Sequence, residues 1–361
     1  METHANPTVI ATKIGMALST LSLVLGCGGD NSTASIGGTS TTSVGGASGG
    51  AGARQCVSAN CDSSTTWLSV SAGSGAACAI RADNTVACWG ASMYGAPGAF
   101  TDLNSVSVGL GEEEYFYGNE ITSFDGYQTI RSACGVKTDG TLHCWWDGDM
   151  FPPSGTFSLV STGSNFACGL KTDGTLACWG DDQYNQNAHW QTSPPTGTFS
   201  SVSCGHESAC GVMTDSTLVC WGGPMNSSTS TATSTNTSTS LSTGTTIAGT
   251  FSSVSVGYAF ACATRTDGSL LCWGENSDGQ TTQPSGSFLS VSAGSGSACA
   301  LNTDHAVVCW GRQLSSSLVS PTAPPEGTYS SVSVGDTFAC GVMTDGTLAC
   351  WGDLPGMPPK S

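Results

Sequence analysis

Seven pairs of cysteines, each pair ten positions apart, constrain this chain more than any other feature. Each pair brackets a similar short segment, and a Trp follows the second cysteine. The fullest copy runs from Ala167 to Gly180 and is centred on Thr-Asp-Gly. A repeat this small cannot bury a core alone, so its copies must stack against one another. The pairs are Cys78 with Cys88, Cys134 with Cys144, Cys168 with Cys178, Cys210 with Cys220, Cys262 with Cys272, Cys299 with Cys309, and Cys340 with Cys350.

The segment between the cysteines predicts a β-hairpin closed by a disulfide. Thr172 to Gly174 suits a three-residue loop, a type I turn followed by a left-handed residue. Cys168 and Cys178 then face each other in a non-hydrogen-bonded pair, about 4.5 Å apart at Cα, within disulfide reach. Gly fills the left-handed position in four copies, and non-Gly residues do so in three. Those three are Asn84, Ser216 and His305.

A second element precedes every hairpin and reads as a strand. Leu68 to Gly73 alternates Val with Ser and ends in Gly, and six similar segments follow along the chain. Such alternation is typical of a strand with one buried face. Pro-x-Gly-x-Phe/Tyr segments before several copies, such as Pro195 to Phe199, indicate loops. One strand plus one hairpin gives three strands per repeat, and seven repeats predict a ring.

These motifs together resemble the regulator of chromosome condensation repeat, and more closely its short three-stranded bacterial form, the beta-lactamase inhibitor protein II type. The matching features are Val-Ser-x-Gly, the Thr-Asp-Gly turn and the Trp after each hairpin. The fifth copy also keeps the family's following turn, Glu275 to Gln280. The resemblance covers about residues 65–353 and implies an all-β, seven-bladed β-propeller. The fold alone leaves function open, because it hosts nucleotide exchange, enzyme inhibition and plain binding.

The N-terminal residues predict export. Lys13 precedes an apolar run from Ile14 to Gly26, too short to span a membrane and typical of a secretory signal. Val-Leu-Gly-Cys at its end resembles the lipobox of bacterial lipoproteins, which implies lipidation of Cys27; conventional secretion is the alternative. We therefore expect a signal peptide at 1–26, a cell-envelope or extracellular location, and membrane contact only through the lipid.

Two tracts are too poor in large apolar residues to fold by themselves. Residues 27–64 read as a flexible tether rich in Gly, Ser and Thr, in which Gly28 to Arg54 would have a root-mean-square span of about 30 Å. Residues 226–247 read as a disordered Ser/Thr-rich insertion in the fourth repeat. The propeller itself is predicted at 65–354, and residues 355–361 form a tail.

Three cysteines remain once Cys27 and the fourteen paired ones are set aside. Cys56 and Cys61 are close enough in sequence to form a disulfide just before the first repeat. Cys204 replaces the Val or Ala of other repeats in Val-Ser-x-Gly, which predicts a buried free thiol.

The charge balance argues against nucleic acid as a partner. The formal net charge is −17, and only nine basic residues are present, scattered along the chain. Phosphate binding requires clustered Lys and Arg. We expect a monomer that binds an unknown protein at the cell surface.

A long insertion in the second repeat is a candidate binding loop. Cys78 and Cys134 are 56 positions apart, against 34 for Cys134 and Cys168. The extra segment, residues 110–131, combines acidic and aromatic side chains, as binding surfaces do. The alternative is a loop that packs over the propeller. Its candidate residues are Glu112, Glu113, Glu114, Tyr115, Phe116 and Tyr117.

The residues that follow each Val-Ser-x-Gly form a second candidate surface, because they would ring one face of a propeller. Most are small and polar. His206, Glu207 and Tyr258 are the chemically distinctive members.

Catalytic signatures are missing from the sequence. No His-Glu-x-x-His or Cys-x-x-Cys motif occurs, and the one Gly-x-Ser-x-Gly match, Gly46 to Gly50, falls in the Gly/Ser-rich tract. The paired cysteines are too far apart for a typical metal motif. We therefore expect no catalysis, cofactor or metal, and a binding or scaffold role. The alternatives are an enzyme inhibitor or a lyase or hydrolase whose site is built from distant loops.

Overall fold

The computed structural model describes residues 66–90, 101–110, 132–146, 151–180, 191–223, 241–314 and 323–353. Every regular element in these ranges is a β-strand. The strands form seven antiparallel sheets, each built from consecutive strands. We number these sheets as blades 1 to 7 in chain order. The tether, Cys27, Cys56, Cys61 and residues 111–131 lie outside the described residues.

The strands of the first four blades have the following bounds. Blade 1 contains β1 (Trp67–Ala72), β2 (Ala76–Arg81) and β3 (Val86–Gly90), and blade 2 contains β4 (Leu103–Val108), β5 (Ser132–Lys137) and β6 (Leu142–Trp146). Blade 3 contains β7 (Phe157–Thr162), β8 (Phe166–Lys171) and β9 (Leu176–Gly180). Blade 4 contains β10 (Phe199–Cys204), β11 (Ser208–Met213), β12 (Leu218–Gly222) and β13 (Leu241–Ile247).

The remaining blades repeat the three-stranded pattern. Blade 5 contains β14 (Phe251–Val256), β15 (Phe260–Arg265) and β16 (Leu270–Gly274). Blade 6 contains β17 (Phe288–Ala293), β18 (Ser297–Asn302) and β19 (Val307–Gly311), and blade 7 contains β20 (Tyr329–Val334), β21 (Phe338–Met343) and β22 (Leu348–Gly352).

The first strand of each blade contacts the first strand of the next, so these seven strands form the inner wall of a ring. β1 contacts β20 and β21, which brings blade 7 against blade 1 and closes the ring. The predicted all-β, seven-bladed propeller is therefore confirmed. Among the described strands, blades 1 and 7 share none.

Hydrogen bonds from inner strands to serine hydroxyls join all seven blades. The amide of Val108 in blade 2 donates to Ser71 Oγ in blade 1, and the same bond recurs around the ring at 2.8 to 3.0 Å. Each bond satisfies an amide on the strand edge that β-pairing leaves open. The bonds run from Val108 to Ser71, Thr162 to Ser107, Cys204 to Ser161, Val256 to Ser203, Ala293 to Ser255, Val334 to Ser292 and Ala72 to Ser333.

A second set of bonds joins the blades at the end that carries the hairpin turns, which we call the turn end. The carbonyl of each left-handed turn residue accepts the first amide of the next inner strand, at 2.7 to 3.3 Å. The left-handed residues include Asn84, Ser216 and His305 at φ of 64°, 70° and 62°, as the sequence predicts. The bonds run from Leu103 to Asn84, Phe157 to Gly140, Phe199 to Gly174, Phe251 to Ser216, Phe288 to Gly268, Tyr329 to His305 and Trp67 to Gly346.

The seven predicted disulfides are confirmed, one in each blade. The paired Cα atoms lie 4.0 to 4.1 Å apart, and cysteine faces cysteine in every hairpin register. The bridges join Cys78 to Cys88, Cys134 to Cys144, Cys168 to Cys178, Cys210 to Cys220, Cys262 to Cys272, Cys299 to Cys309 and Cys340 to Cys350.

These bridges belong to the core between blades. For example, Cys210 and Cys220 share a buried cluster with Phe251 of the following blade. Cys340 and Cys350 of blade 7 likewise lie in a cluster with Ala77 of blade 1. The disulfides thus shape the surface on which the next blade packs.

Blade 4 corrects one prediction. Leu241–Ile247, expected to be part of a disordered insertion at 226–247, forms β13 and pairs with the outer strand β12. Three Thr residues suit a strand in spite of the low-complexity composition. All five residues of β12 are buried, whereas most of β9 in blade 3 is only half-buried.

The basic residues are less scattered than the sequence suggests. Four of the nine occupy one repeat position, two residues before the turn aspartate, so they gather at the turn end. The aspartate of such a turn stays ionised because hydrogen bonds favour its carboxylate form. In blade 3, the hydroxyl and amide of Thr175 donate to Asp173 and hold its pKa below the ordinary value. The four basic residues are Arg81, Lys137, Lys171 and Arg265.

Two serines on β10 test the inter-blade bonds. Ser203 Oγ accepts from Val256, whereas Ser201 Oγ is buried with no partner among the described residues. Ser203→Ala should lower the free energy of unfolding by about 1–3 kcal/mol, because it leaves a buried amide unpaired. The matched Ser201→Ala should change it by less than about 0.5 kcal/mol. Denaturant unfolding measures both, and equal losses would contradict the role of the Ser203 bond.

Cys204 forms no disulfide within the described residues and is buried, as predicted. Burial raises the pKa of this thiol to about 12. At pH 8 the native, unreduced protein should therefore resist iodoacetamide at Cys204, because the thiolate is the reactive form. Denaturation without reductant should expose this thiol alone. Mass spectrometry of the alkylated peptides checks both states, and label at Cys56 or Cys61 would contradict their predicted disulfide.

Candidate functional site

The inner strands end in seven glycines, which pack against one another around the axis. We call this set the glycine ring. A side chain at Gly73 would collide with the carbonyl of Gly109, and five further members show the same clash with the next member. Only glycine permits this approach. The ring comprises Gly73, Gly109, Gly163, Gly205, Gly257, Gly294 and Gly335.

The residue directly after each ring glycine lies at the same end of the propeller, which we call the rim end. In five blades its amide donates to the carbonyl of the next ring glycine, at 3.1 to 3.4 Å. These rim residues are therefore neighbours in space although they are far apart in sequence. They are Ser74, Leu110, Ser164, His206, Tyr258, Ser295 and Asp336.

Four consecutive rim residues are linked into an arc across blades 2 to 5. The hydroxyl of Ser164 donates to the carbonyl of Leu110, and its oxygen lies 2.8 Å from His206 Nδ1. The imidazole of His206 stacks on Tyr258, with ring centroids 4.2 Å apart and planes inclined by 20°. Tyr258 is 42% exposed. An aromatic side chain therefore reaches solvent beside the hydrogen bonds of the buried Ser164.

The direction of these hydrogen bonds determines the tautomer of His206. Ser164 has one proton and uses it on the carbonyl of Leu110, so its oxygen must accept from His206. Nδ1 therefore carries a proton. Nε2 lies 3.9 Å from Glu207 Oε1, and the two side chains are 12% and 28% exposed.

A serine, a histidine and a carboxylate lie next to one another here, as in a catalytic triad, but their hydrogen bonds differ from those of a triad. The three residues are Ser164, His206 and Glu207. Ser164 is only 1% exposed, and its proton points to Leu110, away from the histidine. A triad needs the histidine to accept the proton of the nucleophile. Here the histidine donates to the serine, so this cluster is arranged for positioning the imidazole.

The opposite side of the rim carries an ion pair. Arg312 Nη2 lies 2.9 Å from Asp336 Oδ1, with side-chain exposures of 48% and 16%. Arg312 follows the Trp-Gly of blade 6, and its amide donates to the carbonyl of Gly296. The position after Trp-Gly thus forms an outer tier of the same face.

The charged side chains described on this face are mostly acidic. Arg312 is its one basic side chain, and it is already paired with Asp336. Its carboxylates belong to Glu207 and Asp336 beside the axis and to Glu275 and Asp353 in the outer tier. Clustered carboxylates favour cationic partners over anionic ones.

The described residues contain neither a metal-ligand cluster nor a membrane-spanning helix. No three His, Cys, Asp or Glu side chains come together as metal ligands. No helix in the described ranges has the length and apolarity required to cross a membrane.

The predicted site residues have different outcomes. His206, Glu207 and Tyr258 lie together on the rim. Glu112 to Tyr117 lie outside the described residues. Sequence reasoning missed Arg312, which only the position after Trp-Gly could have indicated.

Comparisons with known proteins agree with this architecture. The family description "Regulator of chromosome condensation (RCC1) repeat" matches residues 157–186, 251–280, 288–315 and 329–353, in blades 3, 5, 6 and 7. The predicted resemblance to this repeat is therefore confirmed in four segments. No curated protein sequence matches the chain significantly.

Solved structures with similar folds include two plant receptor ectodomains. The ectodomain of the Physcomitrella patens receptor kinase CR4 is 25% identical, with 80% of this chain and 74% of that chain covered and a TM-score of 0.57. The CRINKLY ectodomain of Arabidopsis thaliana ACR4 is 21% identical over 80% and 98%, with a TM-score of 0.55. Prp20p of Saccharomyces cerevisiae is 12% identical over 80% and 83%, with a TM-score of 0.58. The last two show the fold alone.

The tautomer of His206 can be measured directly. Nitrogen-15 NMR of the neutral imidazole should place the proton on Nδ1, because Ser164 accepts it there. Ser164→Ala removes this acceptor and should shift the proton toward Nε2. Ser295→Ala, the equivalent rim position in blade 6, is the matched control and should leave the spectrum of His206 unchanged. Nε2 protonation in the unmodified chain would contradict the assigned hydrogen bonds.

Proposed function

We propose that this chain is a protein-binding or scaffold propeller without catalytic activity, held at the cell envelope by a lipid on Cys27 or secreted. The proposal includes the short bacterial form of the repeat and a monomeric state. It also includes a partner that is a protein and not a nucleic acid. The rim arc of Ser164, His206 and Tyr258 is the observation that carries the binding role.

The disulfides support a location outside the cytoplasm. Seven intra-blade bridges contribute to the core, and such bridges persist only in oxidising compartments. Two similar structures are receptor ectodomains. The apolar run before Cys27 supplies a route of export.

The rim end supports a binding role because a regular backbone framework carries side chains that vary from blade to blade. Glycines and serines of the inner wall repeat around the ring, whereas the rim residues vary from Ser to His, Tyr and Asp. A rigid scaffold that presents variable side chains on short loops is typical of recognition surfaces. Prp20p, which shares the fold, has been characterised for its binding to Gsp1p and histones.

One arrangement of side chains supports the proposed lack of catalysis. The nearest approach to an active site is Ser164, His206 and Glu207, and the serine proton in that cluster is directed away from the base. A binding module requires no cofactor or metal. Hydrolysis of an ester by the purified chain that His206→Gln abolished would contradict this part.

Quantitative capture tests the binding role. The full chain, immobilised and cross-linked to cell-envelope extract, should enrich a saturable protein partner, and Tyr258→Ala should reduce that enrichment at least fivefold. An exposed aromatic near the centre of an interface contributes this much when its packing is lost. Deletion of residues 111–131 in a second variant reports whether that loop adds to the surface.

Phe151 offers the matched control, because it is 82% exposed and lies in the connection between blades 2 and 3. Phe151→Ala removes a comparable exposed aromatic that is not one of the rim residues and should leave capture unchanged. Equal capture by all variants would contradict the rim as the binding surface. The absence of any saturable partner would contradict the function itself.

A further inference from the structure

Resting on the proposed binding function, we propose that the outer edge of blade 6 binds an extended segment of the partner protein as an added β-strand. The segment pairs antiparallel with β19, as β13 pairs with β12 in blade 4. Its chemistry is that of β13, which is short, uncharged and rich in Thr. This edge is separate from the rim arc, which belongs to blades 2 to 5.

The outer edge of β19 carries backbone groups that no strand covers. The amide of Asn302 donates to the carbonyl of Ala306, so Val307 and Cys309 fall on non-hydrogen-bonded pairs with β18. Their amides and carbonyls therefore point away from β18. Within the described residues no strand lies beyond β19, and these groups have no backbone partner there. Such an edge is a template for another strand.

Blade 4 shows which kind of strand fits this edge. Leu218, the first residue of β12, pairs with Ile247 of β13. Two positions later, Cys220 pairs with Thr245. Ile247 also packs against the buried cluster shared by blades 4 and 5. A fourth strand thus supplies backbone hydrogen bonds and an apolar side chain.

Blade 6 matches blade 4 in the features next to this edge. β12 and β19 differ only in their first residue, and only these two of the seven outer strands place Val before the cysteine. In blade 4 the indole of Trp221 donates to the carbonyl of Gln191 at 3.0 Å. In blade 6 the indole of Trp310 donates to the carbonyl of Gln280 at 2.9 Å. Blade 6 is therefore built like blade 4, but its described residues include no fourth strand.

The exposed surface of β19 favours an uncharged segment. Val308 is 36% exposed, whereas its equivalent in blade 4, Val219, is 7% exposed. The corresponding residue is Ala in blades 1, 3 and 7, which offers an added strand less apolar surface. β19 has no charged residue to attract a basic segment, and the net charge of −17 repels an acidic one. In strand addition, backbone bonds give affinity and side chains give specificity.

Hydrogen exchange locates the added strand. The probe is the acetylated and amidated peptide Leu-Ser-Thr-Gly-Thr-Thr-Ile, the sequence of β13, added to the full chain. Exchange measured by NMR should slow at least about tenfold at the amides of Val307 and Cys309, because the peptide replaces water as their acceptor. The amides of Leu218 and Cys220, which β13 already covers, should exchange slowly with and without the peptide.

Two N-methylated peptides test the register. In blade 4 the amide of Thr245 points to β12, because this residue pairs with Cys220. Methylation of the Thr245 amide in the peptide should weaken binding at least about tenfold, because a backbone hydrogen bond is lost and the methyl group meets the edge. Methylation of the Thr246 amide, which points away from the edge, should change affinity less than about threefold. Equal losses would contradict this pairing.

Three variants connect the edge to partner capture. Val308→Lys places a charge on the edge, as proteins do to prevent strand pairing, and should weaken peptide binding at least about fivefold and reduce capture. Val308→Thr keeps a β-branched side chain and should retain affinity within about twofold. Ala177→Lys, at the same position of β9 in blade 3, is the matched control and should leave peptide affinity unchanged. Thermal unfolding confirms that each variant retains the fold.

Slow exchange at Val307 and Cys309 in the dilute chain without peptide would overturn the inference, because another part of the chain would then occupy the edge. Protection that grows with protein concentration alone, with a dimer in sedimentation, would assign the edge to a second copy and overturn the choice of a partner strand. Partner capture that Val308→Lys leaves intact, without protection by the peptide, would contradict this edge alone. Peptide protection in a chain that captures no partner would contradict the proposed function alone.

Discussion

The amide on the open edge of each inner strand is the constraint on which this ring depends. Such a group is buried between blades and must find an acceptor, and the serine hydroxyl of the preceding blade supplies one all the way round. The serine requirement explains a polar residue in the middle of a core strand. The adjacent glycine follows from the same geometry, because the strands converge one residue further on.

Repetition made most of the fold predictable. The spacing of Cys168 and Cys178 around a three-residue turn determines the hairpin, its register and its disulfide, and one correct repeat predicts seven. The left-handed residues Asn84, Ser216 and His305 were found because each replaces a Gly in an aligned copy. β13 was missed because its Ser and Thr residues have no counterpart in other repeats, and its pairing with β12 is a tertiary effect.

The sequence predicted where the candidate site lies but not how its side chains are hydrogen-bonded. Alignment of the repeats places His206 and Tyr258 after ring glycines, which indicates that neighbouring blades bring them together. It does not indicate that Ser164 directs its proton to Leu110 and thereby determines the tautomer of His206. The pairing of Arg312 with Asp336 also escaped the sequence, because charge complementarity across blades follows from side-chain reach and leaves no periodic signal.

The junction between blades 7 and 1 has a mechanical consequence. The chain itself spans the other six junctions, whereas the described residues of these two blades share no strand and meet through non-covalent contacts such as the bonds from Ala72 to Ser333 and from Trp67 to Gly346. Within the described residues this junction is therefore a seam, at which two blades can separate without stretching a connecting peptide.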